Sequence, residues 1–275
     1  MIKINPYVEK TKRCTGTTIA ITSKVKIGNG NFQVIAGPCA VESEDQIRKI
    51  ARGIKQAGAA LCCAGTFISQ TSIHSFQGLG KSGVDMLLKA RLETGLPVVS
   101  EIIDPSHLSL FENMDLIHVG PRNMQNTELL KELGHIHKPI LLTKGISNTL
   151  EELLMSVEYI MSGGNEQIIL CEGGIRTFEA AVRNSLDLSA VPILKSLTKL
   201  PVIVSPSYAS GSSEFVKPMA MAATVSGADG LMIEVHNDPI KALCNGARAL
   251  DLQTFADLIG VIRKIQPLSY QYHDI

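Results

Sequence analysis

VIAGPC at residues 34–39, followed by SEDQIRKIARGIKQAG at residues 43–58, decides the fold. The first run is continuously apolar instead of alternating, as expected of a strand covered on both faces. The second is an amphipathic helix with Ser43 placed to cap its start and Gly58 to end it. Outward along the chain the strand pattern returns as ALCCAG (60–65), PVVSEI (97–102), LIHVG (116–120), PILLTKG (139–145), QIILCEGG (167–174), PVIVSPS (201–207) and GLMIEVH (230–236). Helical patterns lie between these runs, among them NTLEELLMSVEYIMSGG (148–164) and KPMAMAATVSGA (217–228). This alternation predicts an α/β protein, a (β/α)8 TIM barrel with a parallel closed sheet. A doubly wound open sheet is the alternative, because strand count does not prove closure. Residues 1–31, which include VKIGNGNF, are expected to form a short N-terminal β-hairpin cap on the barrel floor. The barrel is expected over 32–265 and a C-terminal tail over 266–275, with no second domain.

The bulk numbers narrow the partners. A chain of 275 residues suits one barrel, and 45% hydrophobic with 19% charged residues supplies a large core. A formal net charge of zero argues against nucleic acid or an acidic membrane held by bulk electrostatics. It also leaves little self-repulsion to oppose association into oligomers. No window approaches the roughly 18 apolar residues of a membrane span. The start, MIKINPYVEKTKRC, lacks an apolar core, so no signal peptide is expected. Six cysteines (14, 39, 62, 63, 171 and 244) show no CxxC spacing. Reduced thiols and a cytoplasmic location are expected.

Barrel enzymes place their chemistry at the C-terminal ends of the strands. Here those ends carry Cys39, Cys63, Glu101, Arg122, Lys144, Glu172, Tyr208, Glu234 and His236. Glu234 and His236 leave the eighth run two residues apart, so both can face one side as an acid/base pair or as a hydrogen-bonded structural pair. Strand side chains alternate, and Cys39 and Cys63 on neighbouring ends read as buried inert thiols unless a positive neighbour activates them. His107, His118, His135, His137 and His273 form no constellation in the sequence, and His74 is expected on the rim.

The blocks IAGPCAVES, SFQGLG, RNMQN, ILCEGGIRTFE, LDLSAVP, SPSYASG, GADGLMIEVH and DPIKAL resemble the 3-deoxy-arabino-heptulosonate 7-phosphate (DAHP) synthase family. The resemblance is to the branch shared with 3-deoxyoctulosonate 8-phosphate synthase, and it covers about residues 20–260. It implies condensation of phosphoenolpyruvate with erythrose 4-phosphate, normally on a divalent metal, at the entrance to the shikimate pathway. It also implies association into dimers or tetramers.

Residue by residue, the resemblance implies an altered site. Its metal ligands are a Cys in the GPC block, a His in D-P-S-H, a Glu in E-V-H and an Asp in A-L-S-D-G. Cys39 and Glu234 keep two of these, while Tyr208 and Asn245 stand at the other two. A phenol and an amide are poor donors, so the expectation is no tight metal or other cofactor and at most weak divalent binding. The family's phosphate cations fare similarly. Cys63, Ile68 and Gln70 replace Arg, Lys and Arg on the second strand and its loop, and Thr143 and Gly173 replace a Lys and an Arg. The G-R-R-D loop has become Gly211-Ser212-Ser213-Glu214, and Arg122 is the surviving cation. Each lost charge-assisted bond to phosphate removes roughly 1.5–3 kcal/mol.

Lys144 lies one residue beyond the family's lysine, and alternation turns it from the lumen towards solvent or an ion pair. A repositioned phosphate ligand or Schiff-base amine is the sharper alternative. Tyr208 is either a phenolic acid or a filler of the vacated space. The residues expected to act on substrate are Glu234, His236, Tyr208 and Lys144. Those expected to bind it are Arg122, Gln70, Thr71, Ser72, Thr143, Glu172, Arg176 and Cys63. Barrel-forming segments are intact while departures cluster at strand ends, which suits a small-molecule enzyme refitted for a less phosphorylated, keto-acid-type substrate. A catalytically silent binding paralogue and an ordinary synthase are the alternatives.

Overall fold

The computed structural model describes residues 6–11, 17–70 and 72–270. The expectations placed on Thr71, Cys14 and His273 lie outside the described residues. Eight parallel strands close into a barrel: β3 (Gln33–Gly37), β4 (Leu61–Cys63), β5 (Val98–Glu101), β6 (Leu116–Val119), β7 (Ile140–Thr143), β8 (Ile168–Glu172), β9 (Val202–Val204) and β10 (Gly230–Glu234). Each pairs with the next in sequence, and β10 closes the ring on β3 through Gly230↔Gln33 to Glu234↔Gly37. Closure removes the open-sheet alternative.

Period-two alternation divides every strand between two cores. Ile35, Leu61, Val99, Leu116, Leu141, Ile169 and Ile203 point inward and fill the lower lumen. Their neighbours, such as Val34, Val98, Ile117, Ile140 and Leu142, point outward to the helices. Both faces are therefore dry, which is why the strands read as continuous apolar runs.

A two-stranded antiparallel hairpin, β1 (Ile19–Ala20) and β2 (Lys26–Ile27), precedes the barrel. Its Ile19, Ile21 and Ile27 join the inward residues of the lower lumen, so the hairpin plugs the barrel floor. The N-terminal segment also contains helix α1 (Pro6–Thr11), whose Val8 is buried and donates its N–H to Glu158 at 2.6 Å.

Helix α2 (Glu44–Ala57) behaves as its sequence predicts. Ser43 accepts from the Gln46 N–H, Gly58 terminates it at φ 105°, and Ile47, Ile50, Ala51 and Ile54 form its buried stripe. Outside the barrel follow α3 (Lys81–Thr94), α4 (Thr127–Gly134), α5 (Leu150–Ser162), α6 (Ala190–Leu197), α7 (Pro206–Ser210), α8 (Ser213–Val225) and α9 (Leu252–Tyr270). Three of these differ from expectation. The seventh run stops as a strand at Val204, and Pro206 opens α7, since proline at the first helical position loses no hydrogen bond. Helix α8 starts a turn before Lys217 and carries Pro218 inside it, where only one ladder bond is lost. Helix α9 continues through residues 266–270 and buries Ser269, so the expected tail is helical up to Tyr270.

Candidate active site

The inward positions above the apolar layer are Gly37, Cys63, Glu101, His118, Thr143, Ser205 and Glu234, and all seven line a cavity of about 180 Å³ at the C-terminal mouth. The same alternation that builds the core below thus delivers polar groups to the lumen above it. Loops complete the wall. The turn after β6 brings Arg122, whose Nη1 donates to the Ser69 hydroxyl at 3.1 Å. Helix α7 brings Tyr208. The loop after β8 brings Arg183, tied to α7 by the Arg183 N–H to Ser210 carbonyl bond at 3.2 Å. A short 3-10 turn, Gly246–Arg248, brings Arg248.

Arg248 is the centre of the arrangement. Its Nε donates to Glu234 Oε2 at 2.7 Å, and both side chains are largely buried. Burial opposes its charge, but Glu234 and neighbouring Cys39 more than offset that and hold it cationic. The guanidinium carbons of Arg248 and Arg183 lie 5.1 and 5.0 Å from the centroid of the Tyr208 ring, within cation–π range. Burial raises the Tyr208 phenol, with both arginines pulling the other way. Across the lumen, burial raises the Glu101 carboxyl to about 7, opposed by Arg122 and Arg248. That value is poised for proton transfer near neutrality. Its carboxylate lies so close to Gly120 that a Cβ there would overlap it. His118 donates to or accepts from Thr143 Oγ1 at 2.8 Å, and burial lowers its pKa to about 4, which keeps it neutral.

The thiols behave differently from one another. Burial pushes the Cys63 thiol up, as expected of an inert group. Cys39 Sγ and Cys244 Sγ are 2.7 Å apart and share a hydrogen bond. That bond, then burial, holds the Cys39 thiol well above its usual range. Asn245 Nδ2 donates to both sulfurs, at 3.0 and 3.2 Å.

Of the residues singled out from sequence, Arg122, Gln70, Thr143, Cys63, Cys39, Tyr208, Glu234 and Asn245 line the cavity. Others do not. Lys144 and Glu172 point outward between barrel and helices, one residue out of phase with lumen-facing Thr143, and form a buried ion pair at 3.3 Å. Lys144 is therefore ion-paired but not solvated, and it is no candidate amine for the cavity. His236 lies beyond the end of β10, where alternation no longer applies because the chain turns to bridge Leu250. Its Nδ1 accepts from the Asp238 N–H at 3.0 Å and its Nε2 faces Glu42 at 3.4 Å, so it forms no pair with Glu234. Arg176 and Ser72 are exposed on loops away from the cavity wall. Conversely, Arg183, Arg248, Cys244 and the His118–Thr143 contact were not singled out. Among the described residues Arg122 is thus one of three guanidiniums at the cavity, and the expected thinning of positive charge is only partial.

The four positions that the resemblance assigns to a divalent metal do not suit one. Glu234 is engaged by Arg248, Asn245 presents its amide N–H groups to the sulfurs, and the Tyr208 ring lies against two cations. No cluster of three or more His, Cys, Asp or Glu side chains arranged for a metal occurs among the described residues. A double positive charge here would sit beside the buried Arg248 guanidinium, and like charges so placed repel.

Comparison with known proteins agrees with the fold. The model of the DAHP synthetase I family matches residues 13–266. A phospho-2-dehydro-3-deoxyheptonate aldolase of Thermotoga maritima is 43% identical over 249 residues, covering 90% of this chain and 74% of the relative. A 2-dehydro-3-deoxyphosphooctonate aldolase of Syntrophotalea carbinolica is 31% identical over 244 residues, covering 82% of this chain and 87% of its own. The crystal structure of the Thermotoga maritima DAHP synthase superposes with a TM-score of 0.89, over 92% of this chain and 75% of that one. A truncated form of that enzyme gives 0.86 at 40% identity, over 92% and 94%. With a closed barrel, a C-terminal-face cavity and a family match over nearly its whole length, this chain belongs to the DAHP synthetase I family.

Proposed function

We propose that this chain is an aldolase-type enzyme that makes or breaks a carbon–carbon bond between a keto-acid-type substrate and an aldehyde, not one that joins two phosphorylated substrates. The carrying observation is that the replaced residues fit one another. Gly173, where the resemblance expects an arginine, lies against the larger Tyr208: a Cβ at Gly173 would sit 3.1 Å from Tyr208 Cδ1. Tyr208 in turn packs under Arg183 and Arg248, and Arg248 neutralises Glu234. Loss by drift would leave voids and unpaired charges, because most substitutions destabilise. Here a gap is filled and a charge is paired.

The charges also count towards one small anion. Arg122, Arg183 and Arg248 contribute three positive charges, Glu234 removes one, and Glu101 removes at most one near neutrality. The remainder matches a single carboxylate or phosphate. With that group held by the guanidiniums, ionised Glu101 takes a proton from the carbon next to the 2-oxo group. The enolate is stabilised by the nearby cations. Its carbon attacks an aldehyde carbonyl, and protonated Glu101 returns the proton to the new alkoxide, so atoms and charge balance; cleavage is the reverse.

The test is exchange of the pyruvate methyl protons for deuterium in D2O, followed by NMR, with a panel of 2-oxo acids in parallel. Exchange that falls by about 10²–10⁴-fold in Glu101→Gln supports the reading. No exchange with any 2-oxo acid refutes it. The family's condensation is the second reading, favoured by the 43% identity to a phospho-2-dehydro-3-deoxyheptonate aldolase. Consumption of phosphoenolpyruvate with erythrose 4-phosphate would establish it instead.

A further inference from the structure

We propose that Arg248 is a built-in replacement for the metal ion: a tethered cation that occupies the place of the family's divalent metal and binds the substrate's anionic group. Three observations converge on it. Of the four positions that would surround a metal, Glu234 accepts from Arg248 Nε at 2.7 Å, and Tyr208 presents its ring 5.1 Å from the guanidinium carbon. Asn245 begins the turn that delivers Arg248, and its carbonyl accepts from the Arg248 N–H at 3.2 Å. The fourth, Cys39, is close enough to interact electrostatically with the guanidinium. The old coordination sphere has become the coordination sphere of an arginine.

The second observation is the turn itself. Asn245 adopts a left-handed conformation at φ 52°, which asparagine tolerates better than most residues. Gly246 follows at a point where a Cβ would overlap the Pro239 carbonyl. This Asn-Gly step reverses the chain tightly enough to send Arg248 back into the lumen. An aspartate at 245 could make the same backbone turn, but it would put an acceptor-only carboxylate where the Asn245 amide donates to Cys39 and Cys244.

The third observation is an unused donor. Arg248 lines the cavity wall, and its Nη1 is buried with no hydrogen-bond partner among the described residues. A buried unsatisfied guanidinium N–H is costly unless a ligand completes it. With Nε committed to Glu234, the terminal guanidinium nitrogens are the groups left to meet an incoming carboxylate or phosphate oxygen. A guanidinium supplies one permanent charge and directional donors. A divalent ion supplies two charges and free coordination positions. The substitution therefore lowers the charge that the pocket can neutralise, in step with the less phosphorylated substrate inferred above; the inference shares that site but does not need that reaction.

The experiment has two arms. In the first, the native chain is incubated with Mn2+, Co2+ or Zn2+ alone, desalted, and analysed for metal content and for Co2+–thiolate absorption. The result expected is well below one equivalent and no charge-transfer band; a full equivalent would overturn the proposal. The same arm is repeated with Tyr208→His/Asn245→Asp and with that pair plus Arg248→Gln. Metal should bind only when Arg248 is removed. Binding by the variant that keeps Arg248 would overturn the proposal, as would failure of a folded triple variant to bind. In the second arm, calorimetry measures binding of inorganic phosphate and of pyruvate to the native chain, Arg248→Lys and Arg248→Met. Binding to the native chain without metal should weaken at least about tenfold in Arg248→Met and partly recover in Arg248→Lys. Equal binding by all three would refute the anion role. The native chain is measured in both arms, so the proposal can be overturned even where a variant fails to fold. Neither arm measures turnover, so failure of the keto-acid reaction is separable from failure of this inference.

Discussion

Replacing Glu101 with Gln should change how stability depends on pH. The Glu101 carboxyl is raised by burial from the ordinary 4.5 to about 7. The folded chain therefore keeps a proton that the unfolded chain releases from pH 4.5 upward. The contribution of this group is complete below pH 4.5 and is lost as pH rises through 7. At about 1.4 kcal/mol per pKa unit the loss approaches about 3 kcal/mol. Part of the carboxyl faces the cavity, where water screens it, so about 2 kcal/mol is the lower figure. Gln keeps the shape of the protonated acid and has no proton to lose. His118 acts in the opposite sense. Burial lowers its pKa from 6.5 to about 4. Its contribution is present above pH 6.5 and is lost as pH falls through 4. The two nearly cancel in the native chain across the mildly acidic range. Urea unfolding of the native chain and Glu101→Gln should then diverge between about pH 5 and about pH 8, with the variant gaining about 2–3 kcal/mol on its parent at unchanged m-value. Parallel pH curves would refute the reasoning, since Glu101 would then ionise normally in the folded lumen.

Three further outcomes follow from the scaffold. Lys144→Met alone should cost about 3–5 kcal/mol by leaving Glu172 charged and buried, while Lys144→Met/Glu172→Gln recovers most of it; additive losses in denaturant titrations would contradict the buried pair. Thr149→Ala removes the capping box formed with Glu152 at the start of α5 and should lower stability by about 1 kcal/mol, read as a fall in urea midpoint. Phe111→Ala empties one of the largest fully buried side chains and should cost about 3–5 kcal/mol, measured the same way.

The fold was legible because its signals are local. Apolar runs, the Ser43 and Gly58 caps and the helix stripe at Ile47, Ile50 and Ile54 each depend on neighbours within a few residues. Alternation even placed Lys144 outside the lumen, although its partner Glu172 on the next strand was not visible. The site was legible only where a strand end supplied it. Glu234 with His236 failed because the chain leaves the sheet between them, and a period-two argument ends with the strand. Arg183 and Arg248 arrive on loops, 61 and 126 residues after Arg122 in the numbering. A search confined to inherited cation positions could not reveal a cation introduced elsewhere. The step Asn245-Gly246 with an arginine two residues later was the available signal, since a tight reversal beside a strand end returns a long side chain to the lumen.

The hairpin on the barrel floor has a consequence for traffic. With Ile19, Ile21 and Ile27 stoppering the lower end, the lumen is a cup with one rim. Whatever enters past Arg122 and Arg183 must leave by the same route, so a spent molecule blocks its successor until it departs. Release and capture are forced into strict succession, and the loops around the rim are the one place where that exchange can be hastened or slowed.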